Sequence, residues 1–321
     1  MVITFCGDLH LSVIPPVSRK ITYFDEILSK LQEFLSDMAD IIIINGDVFH
    51  RKRKIQHLEV NTLIKVLNNY RKGSEYGRKI FVNLGNHDID NAQVIDKNPV
   101  MSLVFSDLVQ ILDYYIIQDS RLIGINDIDN MYEYWNERYK QDIENTCRDI
   151  VFVHLDMFPD VVPSFFDTGV SFLDFVNNVN ILCKEKRELI VIAGHIHDFF
   201  GEKTYKNAKY VNYGSIARTG LGEKRLDRKI GYGKIYLDKN RIDIRFCPLK
   251  NYKPYTEVFT FDERNESELF NKASVDYVKM LASLNSGNLS NFITFIEEAM
   301  NTNNLAPEVR RIVFNYLGIV K

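Results

Sequence analysis

Ile41-Ile42-Ile43-Ile44-Asn45-Gly46-Asp47-Val48-Phe49-His50 is the stretch that decides the fold. Four β-branched residues in succession make neither a helical stripe nor an alternating pattern, and read as a strand of a parallel sheet buried on both faces. Asn45-Gly46 is a turn signal, so Asp47 and His50 fall at the strand's carboxyl end. In open α/β sheets ligands bind at that end.

The same device recurs along the chain. Ile3-Thr-Phe-Cys6 runs into Gly7-Asp8-Leu9-His10, and Ile80-Phe-Val-Asn83 leads to Gly85-Asn86-His87-Asp88. Ile150-Val-Phe-Val153 ends in His154, and Leu189-Ile-Val-Ile-Ala193 in Gly194-His195-Ile196-His197. Six of the seven histidines lie in these strand ends, with His57 the exception. Structural histidines scatter, whereas these gather beside Asp and Asn where strands stop.

At 321 residues, 45% hydrophobic and 26% charged, the composition is that of a globular protein with an ample core. No apolar run approaches the roughly 20 residues that span a bilayer, and the chain enters a strand at once, which predicts no signal peptide and a cytoplasmic protein. The net charge of −3 neither supports nor excludes a nucleic-acid partner, because it hides local basic faces. One such face is Arg51-Lys52-Arg53-Lys54, directly after His50. Cys6, Cys147, Cys183 and Cys247 have no metal-binding spacing and read as reduced core thiols.

Between the strands, residues 12–20 read as a loop over the site. Tyr23–Ser36 and Leu58–Tyr70 read as amphipathic helices, and Pro99 opens a helical pattern through Leu108. Residues 109–125 suggest two short strands, 127–146 a helix carrying Trp135, and 171–184 another helix. Residues 210–215 form a strand and turn, and 230–237 with 241–246 a hairpin. Apolar stripes around Leu289–Ile296 and Val309–Leu317 predict two amphipathic helices at the end, either docked on the protein or partner-binding.

In a strand, residues i and i+2 share a face, so Asp8 with His10 and His195 with His197 are spaced to reach one site. Carboxylate, imidazole and amide oxygen without thiolate suit manganese, iron or zinc. Asp8, His10, Asp47, Asn86, His154, His195 and His197 are too many ligands for one tetrahedral ion and suit two. A pair of ions would clamp the attacking and leaving oxygens of a phosphoryl displacement. His87 is surplus to coordination and is placed to stabilise charge or protonate the leaving oxygen.

Asp8-x-His10, Gly46-Asp47, Gly85-Asn86-His87-Asp88, His154 and Gly194-His195-x-His197 together resemble the calcineurin-like metallophosphoesterase superfamily, in order, over residues 1 to about 220. The resemblance implies an α/β fold, a four-layer α/β/β/α sandwich, over residues 1–255, with a short helical C-terminal extension over 256–321. It implies two divalent ions, most readily Mn²⁺, with Fe, Zn and Mg as alternatives. Asp8, His10, Asp47 and His197 would hold one ion and Asp47, Asn86, His154 and His195 the other, with Asp47 bridging.

Within the superfamily, Gly46-Asp47-Val48-Phe49-His50 looks like the SbcD-type DNA-repair nucleases, in which the histidine at the position of His50 helps orient the nucleic-acid end. Asn212-Tyr213-Gly214-Ser215 is similar to their Pro-Gly-Ser segment without its proline, and Ser12 stands where Gly is usual. This resemblance implies a DNA exonuclease or endonuclease subunit of repair or recombination. Its catalytic residues would be His87 and His50, with Arg51, Lys52, Arg53 and Lys54 on DNA. Its partner would be an SbcC-like ATPase gripped by the final helices, and a homodimer would form through Leu58–Tyr70 and Val100–Leu108. A small-molecule phosphodiesterase or phosphatase, or a DNA-end-binding scaffold with a vestigial metal site, are the alternatives.

Overall fold

A computed structural model describes residues 1–37, 39–72, 78–89, 98–125, 146–163, 169–180, 187–220, 228–238 and 241–260. Met1–Phe261 forms one compact unit. The expected helix over 127–146, up to its last residue, and the two C-terminal helices lie outside the described residues, as does Cys183.

Two six-stranded sheets form the centre. The first runs β14 (Arg241–Pro248), β13 (Gly231–Asp238), β1 (Val2–Gly7), β2 (Ile41–Asn45), β3 (Lys79–Asn83), β4 (Gln110–Ile111), with β1 to β4 parallel. The second runs β11 (Gly201–Tyr205), β12 (Ala208–Asn212), β10 (Glu188–Ala193), β7 (Arg148–Val153), β6 (Ser120–Ile125), β5 (Tyr114–Ile117). Its β12, β10, β7 and β6 are parallel. A two-stranded piece joins β8 (Met157–Phe158) to β9 (Val170–Ser171).

The layers follow from the two-residue period of a strand. Ile41, Ile43, Ile3, Phe5 and Phe81 point between the sheets, where they meet Leu122, Ile150, Phe152, Ile190 and Ile192. Ile42, Ile44, Ile80 and Val82 point the other way, onto helices α1 (Tyr23–Ser36) and α2 (His57–Lys72). On the far side, Val151, Val153, Leu189 and Val191 pack with Phe172, Phe175 and Val176 of α4 (Phe172–Asn180). A short α3 (Met101–Phe105) packs beside α2. The result is the expected α/β/β/α stack. The isoleucine run is fully buried because both its faces belong to different cores, and each such side chain contributes about 2 kcal/mol.

Several details depart from the sequence reading. Residues 109–125 hold three short strands, because Gln118 takes a left-handed conformation (φ 54°) and turns β5 back onto β6. β11 has no counterpart in the sequence pattern; its exposed, half-polar face carries no apolar alternation. Of the described thiols, only Cys6 is a core residue, since Cys147 is exposed and Cys247 half-buried on β14, whose face is open to water. Lys30, on the packed side of α1, is fully buried, pairs with Glu26 at 2.7 Å and donates to the Ile216 carbonyl at 3.2 Å. Residues 255–260 still pack on this unit, through α5 (Tyr255–Val258), the buried Phe259, and bonds from Lys20 and Thr260 to Val258 and Ser18. Among the described residues no helix is long and apolar enough to cross a membrane.

The carboxyl ends of the two sheets are stitched together by buried amides. Asn45 and Asn83 follow Ile43 and Phe81 on the inter-sheet face, so alternation aims both across the interface. Asn45 Nδ2 donates to the carbonyls of Val153 (3.1 Å) and Ile192 (3.2 Å). Asn83 Nδ2 donates to Asn45 Oδ1 (2.9 Å) and to the carbonyls of Phe152 (3.2 Å) and Ile125 (3.3 Å). Replacing Asn83 by Ala would take the donor from buried Asn45 Oδ1 and the cross-sheet bonds from the Phe152 and Ile125 carbonyls, of which Ile125 keeps the His154 N–H, at about 1–3 kcal/mol for each acceptor left unpaired. Urea denaturation is expected to show Asn83→Ala destabilised by about 3 kcal/mol at unchanged m-value; a loss below about 1 kcal/mol would mean the amide does not hold the sheets.

Candidate metal centre

The site grows from the loops that leave β1, β2, β3, β7, β10 and β12 at the stitched edge. The loops after β1 and β2 keep pairing beyond their strands: His10 N–H donates to the Asp47 carbonyl (2.7 Å), Leu11 to Val48 (2.9 Å) and His50 to Leu11 (3.1 Å). From the other sheet, residues 215–217 cross to β1. Ile216 and Ala217 N–H donate to Gly7 and Asp8 carbonyls, and Ser215 Oγ donates to the Asp8 carbonyl at 3.0 Å. Asn212 Nδ2 reaches the carbonyls of Ala193 and Ile196, holding the His195–His197 loop. Asp88 ties β2's exit to β3's, accepting from Val48 N (3.0 Å) and Gly85 N (3.0 Å).

These loops bring the candidate ligands into two trios, Asp8–His10–His197 and Asp47–His154–His195, whose donor atoms lie within 4.8 Å of one another in each trio. The trios adjoin. Asp47 Oδ2 is 3.5 Å from His10 Nε2 and Asp47 Oδ1 is 3.3 Å from His154 Nε2, which places Asp47 between them. Asp8 Oδ1 lies 3.7 Å from His197 Nε2 and 3.8 Å from His154 Nε2. His10 Nε2 and His197 Nε2 face each other at 3.1 Å. Asp8, His10, Asp47 and His154 are buried, His195 and His197 half-buried, and Asn86 is exposed on the turn between Gly85 and His87.

His50 and His87 close one side. Their rings stack at 5.6 Å, and both stand edge-on to His10, at 5.4 and 4.8 Å. His87 Nδ1 is bonded to the His50 carbonyl at 2.5 Å, which leaves Nε2 to act, and His87 N–H donates to Asp47 Oδ1 at 2.8 Å. Arg51 continues from His50 half-buried, and Lys52, Arg53 and Lys54 are exposed. His57, outside the motifs, is exposed at the start of α2.

The backbone is strained at this place. Among the described residues eight non-glycines have positive φ, and four of them are Asp8 (53°), His10 (47°), Asp47 (52°) and His195 (73°). Left-handed non-glycine residues cost about 1–3 kcal/mol each and gather where function requires them. Close approach sets the glycines. A Cβ on Gly46 (φ 84°) would lie 2.0 Å from His154 Nδ1, and one on Gly85 would lie 2.2 Å from Asp47 Oδ1.

The electrostatics are those of a site short of positive charge. Burial raises the Asp8 carboxyl above the usual range, against the pull of His154 and His197. Burial pushes Asp47 up too, but His154, His10 and His87 outweigh it and hold this carboxyl far below the ordinary range. Burial lowers His154, yet Asp47 and Asp8 bring it up to about 9. Burial and the facing His197 press His10 well down, and burial with His87 and Arg51 takes His50 down to about 4, so it is neutral at pH 7. Burial and Asp47 raise Asp88 to about 7. Asp8 Oδ2, His10 Nδ1 and His154 Nε2 are buried with no hydrogen-bond partner in proper geometry. Converging lone pairs of oxygen and nitrogen, partly orphaned and with no thiolate among them, fit divalent cations.

A family model for the calcineurin-like phosphoesterases matches residues 1–199. The chain belongs to this family. Calcineurin-like phosphoesterases are hydrolytic, metal-dependent and use dinuclear ions, and the Asp/His clusters here are able to bind metal. Over 91 residues, 28% of the chain, it is 30% identical to the 244L protein of Invertebrate iridescent virus 6, which is named for a phosphoesterase. That match spans 29% of the viral protein's length. Among solved structures, TT1561 of Thermus thermophilus aligns over 76% of this chain and 98% of its own, at 10% identity and TM-score 0.45. The 5′-nucleotidase of Candida albicans aligns over 86% and 58%, at 12% identity and TM-score 0.43. The nuclease MPE of Pseudomonas putida aligns over 75% and 85%, at 13% identity and TM-score 0.29.

Three contributors escaped the sequence reading. Asn45 looks like the first residue of a turn, yet it is a buried strand end whose carbonyl receives His154 Nδ1–H at 2.8 Å. Asn83 carries no signal beyond its alternation with Phe81. Asp156, two residues after His154, stands 3.3 Å from His195 Nε2. Gly46→Ala and Gly85→Ala are expected to weaken metal binding by about 10- to 100-fold, as disturbed ligand orientation does. Gly7→Ala, whose Cβ would meet nothing closer than 3.9 Å, should bind as wild type. Calorimetric titration with Mn²⁺ checks all three, and equal affinities across the set would refute the steric account.

Proposed function

We propose that the chain is a two-metal phosphodiesterase that cleaves DNA, in the manner of an SbcD-type nuclease subunit. One ion would be held by Asp8, His10, Asp47 and His197, and the other by Asp47, Asn86, His154 and His195. The adjoining trios and the intervening position of Asp47 support this division. Bound there, the ions supply Lewis acidity and a water of lowered pKa.

The chain's own groups do the rest. His87 keeps its Nδ1 proton on the His50 carbonyl, so Nε2 is the nitrogen left to deliver a proton to the leaving oxygen. The stacked His50 ring, neutral at pH 7, walls that side and orients the scissile end.

What favours a nucleic-acid backbone over a small ester is the joining of this histidine pair to a basic turn. The carbonyl that fixes His87 belongs to the residue immediately before Arg51-Lys52-Arg53-Lys54, so cationic side chains start at the rim of the reacting centre. A polyanion gains from each phosphate neutralised beyond the one cleaved. Exposed Leu58 (54%) and Phe105 (70%) on α2 and α3 suit a homodimer, and an SbcC-like ATPase is the partner this reading assigns to the residues beyond 261.

Release of nucleotides from end-labelled linear duplex DNA with Mn²⁺ is the test. His87→Ala is expected to lower the rate by about 10²–10⁴-fold with both ions retained. Neutralising Arg51 to Lys54 is expected to flatten the salt dependence of DNA binding, by about 0.9 in log–log slope for each phosphate left without a cation. Fast turnover of bis-p-nitrophenyl phosphate or nucleotides, with no DNA cleavage and a flat salt dependence, would instead establish a small-molecule phosphodiesterase.

A further inference from the structure

We propose that Asp156 is a positioning residue that holds His195 with its Nδ1 toward the second metal ion, an inference that rests on the two-metal reading above. An imidazole has two ring nitrogens, and the one bearing the proton is set by the acceptor it meets. Around this centre three histidines have their outer nitrogen met, while that of His10 has no hydrogen-bond partner. His154 gives Nδ1–H to the Asn45 carbonyl at 2.8 Å, and His87 gives its own to the His50 carbonyl. His197 Nδ1 lies 3.4 Å from Thr219 Oγ1. In these three the acceptor or partner takes Nδ1, so Nε2 faces the centre.

His195 is turned the other way. Its Nε2 lies 3.3 Å from Asp156 Oδ1, so the carboxylate takes that nitrogen and the lone pair falls on Nδ1. His195 is also the most left-handed of the four strained candidate ligands (φ 73°), and its amide donates to Asp8 Oδ1 at 3.1 Å. Its backbone is therefore fixed by one carboxylate and its ring by another. A carboxylate behind a metal-bound imidazole fixes the tautomer and raises ligand basicity, which a carbonyl or hydroxyl does less strongly.

The carboxylate is itself held in place. Asp156 sits between His154 and β8, and its carbonyl accepts from Val170 N–H at 2.8 Å, where β9 pairs with β8. One loop thus delivers two things to the same ion, His154 as ligand and Asp156 as the orienter of His195. Its side chain is 21% exposed and leaves no large void when shortened.

The test is Mn²⁺ binding, read by calorimetry and by metal analysis of desalted protein, on wild type, Asp156→Ala, Asp156→Asn and His154→Ala. Asp156→Ala is expected to bind one ion with wild-type affinity and the second about 10- to 100-fold more weakly, with the metal-free thermal midpoint unchanged. Asp156→Asn, which keeps an oxygen acceptor without the charge, should fall between. In electron paramagnetic resonance the coupled dimanganese signal of wild type should give way, at limiting Mn²⁺, to that of an isolated ion. Wild-type affinity for both ions in Asp156→Ala would overturn the proposal alone. So would complete loss of one ion, matching His154→Ala, which would make Asp156 a ligand, or a collapse of the metal-free midpoint, which would make it structural. Wild type that binds fewer than two ions would overturn the two-metal reading and this inference with it.

Discussion

Two sheets with parallel cores can share one reactive centre only if their carboxyl ends are held at a fixed separation, and the Asn45–Asn83 amide pair imposes it. Strand ends are where backbone carbonyls lose their ladder partners as loops peel away, and a buried carbonyl without a partner is costly. Here the carbonyls of Ile125, Phe152, Val153 and Ile192 in one sheet accept from amides of the other, Ile125 and Val153 in addition to the backbone N–H groups of His154 and Gly194. Asn45 then does a second task through its own carbonyl, which fixes the tautomer of His154. Sheet registration and ligand orientation are one constraint, because Asp47 follows Asn45 by only two residues.

That registration makes an expensive centre tolerable. Four candidate ligands sit in left-handed backbone, two carboxylates lie buried among imidazoles, and several donor atoms lack partners. Three apolar clusters, one between the sheets and one on the outer face of each, supply the stability that holds this arrangement. Burial acts against the charge of Asp8, and nearby cationic charge acts for it. A divalent ion would satisfy orphaned lone pairs and carboxylate charge in one event, so its binding energy also becomes folding energy.

Much of this was legible in the sequence because the fold and the site obey the same rule. A strand buried on both faces must be apolar throughout, so Ile41–Ile44 announces itself, and the polar residues that end such runs stand out against it. The layering came with the family resemblance, because strands apolar throughout, such as β2, say only that both faces are buried. Illegible were features set by geometry across sheets. Asn45 and Asn83 look like ordinary turn and strand-end residues until the facing carbonyls are known. Asp156 is one acid among many until the His195 ring swings onto it. Cys147 and Cys247 failed as core thiols, because Cys147 lies exposed just before β7 and β14 has a face open to water. Short edge strands such as β11, which bury little, leave too faint a pattern to find.

The distribution of charge, more than its total, bears on the choice of substrate. A net charge of −3 spread over 321 residues gives no long-range pull on a polyanion. Local charge at the rim acts within a Debye length of about 8–10 Å, so position decides whether it matters. The turn from Arg51 to Lys54 is anchored through His50 to His87, and through Leu11 to the loop carrying His10. Its cations therefore keep their place relative to the candidate metal ligands. A small phosphate ester would fill the centre and leave that turn idle. On the reading proposed above, a nucleic-acid strand would extend past the scissile phosphate, and its neighbouring phosphates would give those cations something to bind.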